Sequence, residues 1–132
     1  MKKVIAFTII VSAIVIYKAM AVEHVEHQEG AKITFTNDSF DFGDIKEGAV
    51  VKTKFEFKNT GNTPLIISQV ITSCGCTAPE WPKEPIAPGA TGVINVQFDS
   101  KHKSGVQRKS ITVLSNDIEK HRLIILANVT NQ

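Results

Sequence analysis

VKTKFEFKN, Val51 to Asn59, places Val51, Thr53, Phe55 and Phe57 at alternate positions, with Lys52, Lys54, Glu56 and Lys58 between them. Successive side chains of an extended chain point to opposite faces, so this stretch is a strand with one apolar face and one charged face. Asn59-Thr60-Gly61-Asn62 follows as a turn. Working outward, short apolar or alternating runs recur with turn signals between them. Pro64 to Ser73 (PLIISQVITS) is a more fully apolar strand. Gly92 to Phe98 (GVINVQF) puts Ile94, Val96 and Phe98 on one side. Lys109 to Ser115 (KSITVLS) turns Ile111 and Val113 inward and ends at Asn116-Asp117, another turn. Arg122 to Val129 (RLIILANV) closes the series. Ile33 to Asn37 and Ser39 to Ile45 supply one or two edge strands before it.

The sum is about seven strands with no helical period, which predicts an antiparallel β-sandwich over residues 33–132. Sheets with one apolar face must pack face to face to bury it. Phe35, Phe40, Phe42, Phe55, Phe57 and Phe98 are the expected aromatic core. Nothing between the strands is long enough for a crossover helix, so a parallel α/β fold is excluded. Thr77 to Gly92 (TAPEWPKEPIAPGATG) carries four of the five prolines and the single Trp of the chain. Proline donates nothing to a sheet ladder, so this segment reads as a loop. Its Pro88-Gly89 step reads as the centre of a type II turn.

The N-terminus reads as an address. Met1-Lys2-Lys3 precedes an apolar run from Val4 to Tyr17, and Lys18-Ala19-Met20-Ala21 ends in an A-x-A pattern. That is the pattern of a secretory signal peptide over residues 1–21, cleaved after Ala21, or of an uncleaved hydrophobic helix serving as an anchor. The apolar run falls short of the roughly 20 residues that span a bilayer. Residues 22–32 form a polar tail without a core pattern. The whole chain has 15 basic and 13 acidic residues, a net charge of +2. Without Lys2, Lys3 and Lys18 the balance is 12 against 13. A near-neutral chain with no long basic run does not fit nucleic acid. Export to the periplasm or cell envelope is the expected location, with membrane contact only through an uncleaved N-terminal segment.

At this point the residues resemble a known family. FDFGDIKEG, FEFKNTGNTPLIIS, SCGCTAPEWPKEPIAPG, GVINVQFDS and ITVLSND, in this order, are similar to the bacterial envelope family called domain of unknown function 1573. The resemblance covers about Ile33 to Val129. It implies an immunoglobulin-like sandwich related to the major-sperm-protein type, and no activity.

Cys74 and Cys76, the only cysteines, flank Gly75. Four readings stand. On a regular strand both thiols would face one side and pack beside the core. A turn, which Gly75 permits, would bring them within disulfide range, and an exported location favours oxidation. A bridge closing so small a loop restrains little unfolded-chain entropy, which suits a redox element better than a staple. Two thiolates suit Cu(I) or Zn(II), although a structural zinc wants four ligands. A bond to a partner chain is the last reading. A second copper possibility lies at the mature N-terminus, where cleavage would put His24 third, giving a square-planar nitrogen set with His27 nearby. Trp81, with Pro82 behind it on the proline-rich loop, is the best single binding residue, since rigid aromatics anchor partners. Its ordinary alternative is to cover the core. Asp38, Asp41 and Asp44 read as turn chemistry. No catalytic motif is present. The expected role is a non-enzymatic interaction or structural module with Cys74, Gly75, Cys76, Trp81 and Pro82 at its contact surface. The alternative is a thiol-redox or copper-handling protein.

Overall fold

In a computed structural model, residues 30–131 are described. The expected signal peptide or anchor, and His24 with His27, lie outside them. The chain forms eight strands: β1 (Ile33–Phe35), β2 (Ser39–Lys46), β3 (Val50–Asn59), β4 (Ile67–Thr72), β5 (Thr77–Glu80), β6 (Thr91–Asp99), β7 (Gly105–Ser115) and β8 (His121–Thr130). They make two four-stranded sheets, β1-β3-β6-β5 and β2-β8-β7-β4. The alternation of Val51–Asn59 survives in place: Phe55 and Phe57 are 2% exposed, while Lys52, Lys54, Glu56 and Lys58 face solvent. Ile94, Val96 and Phe98 of β6 and Ile111 and Val113 of β7 meet them between the sheets. Full burial of each large apolar side chain stabilises the fold by about 1.5–3 kcal/mol before entropy is charged against it.

Three expectations need correction. The sandwich is not wholly antiparallel, because β2 pairs parallel with β8 while β1 pairs antiparallel with β3. The chain crosses from one sheet to the other between Phe35 and Ser39, and a continuing segment that switches sheets keeps its direction. Thr77 to Glu80 is a strand rather than loop. Proline is admitted because β5 is an edge strand, paired only with β6, so a missing donor breaks no internal ladder. Phe40 is 42% exposed and lies outside the core, its ring edge-on to Phe42 at 4.9 Å, whereas Phe35 and Phe42 are half-buried against it. The Pro88-Gly89 turn is as expected: Ala90 N–H reaches Ala87 O at 3.0 Å and Gly89 has φ +78°.

Buried polar side chains close the ends of the sandwich. Asn59, fully buried at the end of β3, donates its amide to Thr63 O (2.8 Å) and Ile86 O (2.9 Å) and accepts from Gly61 N–H (3.0 Å) and Lys32 N–H (3.3 Å). The buried Ser100 hydroxyl lies 2.9 Å from Lys46 O and 2.7 Å from Ala49 O. Replacing Asn59 by Ala removes four hydrogen bonds to backbone groups and leaves Thr63 O and Gly61 N–H without this carboxamide. We expect Asn59→Ala to lower unfolding stability by about 2–4 kcal/mol, read as a shift in the urea midpoint. A shift below about 0.5 kcal/mol, the scale of a surface substitution, would remove Asn59 from its role as the tie.

Candidate functional site

The cysteine turn joins the two sheets. β4 is an edge of one sheet and β5 an edge of the other, so the four residues between them, Ser73 to Cys76, carry the chain across the corner of the sandwich. Cys74 and Cys76 are joined there as a disulfide, with Cα atoms 5.3 Å apart. The regular-strand geometry behind the packing reading is therefore absent. Gly75 is exposed, a Cβ added to it would meet nothing within 4 Å, and it is not among the positive-φ glycines. The bend thus needs no left-handed residue. It is held by hydrogen bonds: Ser73 N–H to Ser110 O (3.0 Å), Thr77 N–H to Cys74 O (3.2 Å) and Asp99 N–H to Cys76 O (2.9 Å). The Thr72 hydroxyl adds a bond to Cys74 O at 3.1 Å. Cys76 N–H points at Cys74 Sγ, 3.1 Å away. Cys76 packs against the core cluster.

Trp81 follows β5 at its far end. Five strand steps from Cys76 amount to roughly 17 Å, so the structure does not bring the tryptophan and the disulfide together. The Trp81 ring is half-buried against the core. Lys83 Nζ sits 3.0 Å from its ring centroid, a cation–π contact. Its Nε1 is buried and makes no hydrogen bond among the described residues. Pro82 is half-buried beside it. Open depressions of about 510 and 520 Å³ elsewhere are lined by Lys46, Glu47 and His102, and by Lys52, Pro79 and Gln97. Neither touches Cys74, Cys76 or Trp81. Among the described residues no three His, Cys, Asp or Glu side chains gather as metal ligands.

The two outer faces differ. That of β1-β3-β6-β5 carries Lys52, Lys54, Glu56 and Lys58 with Asn95 and Gln97, alongside Val50 and Val93, and Lys54 pairs with Glu56 at 3.0 Å. That of β2-β8-β7-β4 carries Ile124 and Leu126 on β8, Val106 and Leu114 on β7, and Ile71 on β4, interleaved with Arg108, Ser110, Thr112, Arg122 and Asn128. Their strand neighbours Leu123, Ile125, Ile111, Val113 and Val70 point into the core, so alternation turns these outward. Ile71 is 45% and Val106 80% exposed. The sequence signal was available: Val70-Ile71, Val113-Leu114 and Leu123 to Leu126 place apolar residues consecutively, more than one buried face needs.

A second arrangement had no sequence signal. His121 Nε2 lies 2.9 Å from Asp117 Oδ2, and the same oxygen accepts Ile33 N–H at 2.9 Å. Asp117 Oδ1 accepts Glu119 N–H at 3.0 Å. An Asp–His pair invites a catalytic reading. Yet the ring of His121 packs on Phe35 at 5.8 Å, and its one hydrogen bond goes to the carboxylate, not to a hydroxyl or thiol. The carboxylate ties the first strand of one sheet to the β7–β8 turn of the other.

This is an immunoglobulin-like sandwich whose distinctive chemistry is a disulfide at its corner. The chain belongs to the family described as protein of unknown function (DUF1573), whose model matches residues 33–129. No curated protein matches it. A solved protein of unknown function from Porphyromonas gingivalis W83 is similar at TM-score 0.67 and 17% identity, over 82% of this chain and 51% of that one. This chain thus spans about half of that protein's length. The ASH/PapD-like domain of human CEP192 is similar at TM-score 0.65 and 11% identity, over 86% and 98%. The YadV chaperone is similar at TM-score 0.56 and 15% identity, over 75% and 52%. At these identities the likeness is one of fold, and the family has no assigned activity.

Burial works to raise the pKa of Asp117, but hydrogen bonds from Glu119 N–H, Ile33 N–H and His121, with the charge of His121, together hold it below its ordinary value of 3.8. A carboxyl depressed on folding contributes stability that is complete above its unfolded value and lost as pH falls through the lower folded value. Asp117→Asn should therefore destabilise at neutral pH and flatten the acid limb of the stability curve. Denaturant melts of both proteins from pH 7 to pH 2 check this, and parallel acid limbs would remove Asp117 as their source.

Proposed function

We propose that this chain is an exported, non-enzymatic binding module of the bacterial cell envelope. Its contact surface is the apolar outer face of β2-β8-β7-β4, continued to the β4 edge. The observation that carries this reading is the asymmetry of the two outer faces. Ile71, Leu114, Ile124 and Leu126 share this outer face, interleaved with Arg108, Ser110, Thr112 and Arg122, and apolar side chains set among polar ones suit a protein contact. The edges agree. β1 has three residues, β5 has four with Pro79 among them, and β2 carries Asp41 and Asp44 at an irregular step. These devices discourage strand addition. β4, Ile67 to Thr72, has no charge and no proline, and its irregularity is confined to the Ile67–Gln69 end. The partner that fits is an envelope protein offering an extended apolar segment to β4. PapD-like and chaperone neighbours support the fold's suitability for this task. Trp81 is engaged by the core and Lys83, so the contact surface keeps the Cys74 end of the proline-rich segment, next to Ile71, rather than its tryptophan.

A photo-crosslinking residue at position 71 of the full chain, expressed in a cell that exports it, should yield one discrete protein adduct. The same residue at position 54, on the charged face, should yield none. Adding Leu126→Lys and Ile124→Lys should cut the adduct at least about ten-fold, the loss of roughly 1.4 kcal/mol of binding. Equal adducts from both faces, or none from position 71, would overturn the assignment. Export is checked on the same material by intact mass, which should begin at Val22; a mass beginning at Met1 in the cytoplasmic fraction would refute it.

A further inference from the structure

We propose that Cys74–Cys76 is a reversible dithiol–disulfide exchange site, with Cys74 the attacking thiol and Cys76 the resolving one. This stands apart from the docking face and does not depend on it. Three observations carry it. First, the turn is fixed without its sulfurs. The bonds Ser73 N–H to Ser110 O, Thr77 N–H to Cys74 O and Asp99 N–H to Cys76 O tie both flanks to the sheets whether or not the disulfide exists. With a sequence separation of 2, the bridge closes a loop too small to restrain the unfolded chain appreciably. A bond that adds so little to stability is free to open and close. Second, the two cysteines differ. Cys76 N–H lies 3.1 Å from Cys74 Sγ and donates to that sulfur. Cys76 instead packs against the core, which shields its own sulfur from a second molecule. Third, Cys74 adjoins Gly75, which is exposed and has open space where a side chain would stand, so a partner sulfur has an approach.

The chemistry balances within the pair and its substrate. In the reducing direction the Cys74 thiolate attacks one sulfur of a substrate disulfide. That S–S bond breaks, its second sulfur leaves as a thiolate and takes a proton from water, and a mixed disulfide forms on Cys74. Cys76 then gives its proton to solvent and attacks Cys74 Sγ. The remaining substrate sulfur leaves, the Cys74–Cys76 bond forms, and two electrons have passed to the substrate. The bridged state is the product of that sequence. Run in reverse, it oxidises a dithiol substrate.

The test uses the full chain. It is equilibrated in mixtures of reduced and oxidised glutathione, alkylated, and weighed. The expected result is smooth conversion between no adduct and two adducts with an unchanged far-ultraviolet circular dichroism spectrum. A bridge that opens only when the fold is lost would overturn the proposal. With oxidised glutathione at pH 7, Cys76→Ser should form a mixed disulfide at least about ten-fold faster than Cys74→Ser, because Cys76 packs against the core and rates depend on access. Equal or reversed rates would overturn the assignment of Cys74. Should either variant fail to fold, the relative alkylation rates of the two thiols in the reduced wild-type chain, resolved by peptide mass, report the same order.

Discussion

The carboxamide of Asn59 is the tie on which the arrangement of the irregular segments depends. A sandwich built from eight strands must turn its chain seven times, and each turn leaves backbone groups without ladder partners. Buried groups of that kind cost free energy unless they are paired. Asn59 gathers Lys32 N–H ahead of β1, Gly61 N–H and Thr63 O after β3, and Ile86 O ahead of β6. Its own backbone continues the work, with N–H to Ala90 O at 2.9 Å and O from Gly89 N–H at 2.7 Å. The proline-rich return from β5 to β6 is thereby anchored, and with it the isolated bridge of Leu65 to Ile86. That bridge buries Leu65 and Ile86 at one end of the core.

Ser100 and Asp117 apply the same device at other places. Ser100 reaches the β2–β3 connection, and Asp117 reaches Ile33 across the sandwich. Each is a short polar side chain that stands in for a missing strand neighbour. Short side chains suit this role because they lose little rotamer entropy when fixed. They also explain how β1, of only three residues, holds its place: its ladder to β3 is supplemented by the Asp117 carboxylate at Ile33 and the Asn59 carboxamide at Lys32.

The sandwich was legible because its signal is local. Lys52 to Lys58 alternates within one strand, and Ile94, Val96 and Phe98 do so within another. The misread parts rest on non-local facts. Whether Pro79 sits in a strand depends on that strand having a neighbour on one side only, and no pattern in TAPE says so. The parallel pairing of β2 with β8 depends on a sheet switch between Phe35 and Ser39. The roles of Asn59, Ser100 and Asp117 rest on partners as far as 27, 54 and 84 residues away. Those partners are backbone groups, which carry no residue identity to read. Within the site, the cysteine pair was legible and its bend was not. Gly75 showed that a turn was permitted, while what holds the bend is its bonds to Ser110 and Asp99.

The corner and the face have different mechanical standing. Opening the Cys74–Cys76 bond would alter the two contacts that end on sulfur, Cys76 N–H to Cys74 Sγ and Cys76 Sγ to Thr77 Oγ1, while the bonds of Ser73, Thr77 and Asp99 N–H end on carbonyl oxygens. Ile71 lies three residues before Cys74, on the strand that feeds that turn, and Thr72 bonds directly to Cys74 O. Thr72 and Ile71 thus link the turn to the β4 edge, and Cys76 links it to the core. Ile111 and Val113, on β4's neighbour β7, are fully buried. Asn59 and Asp117 tie the opposite end of the sandwich, whereas Ser100 stands next to Asp99, whose N–H holds Cys76 O, so this corner is fastened by backbone bonds of its own.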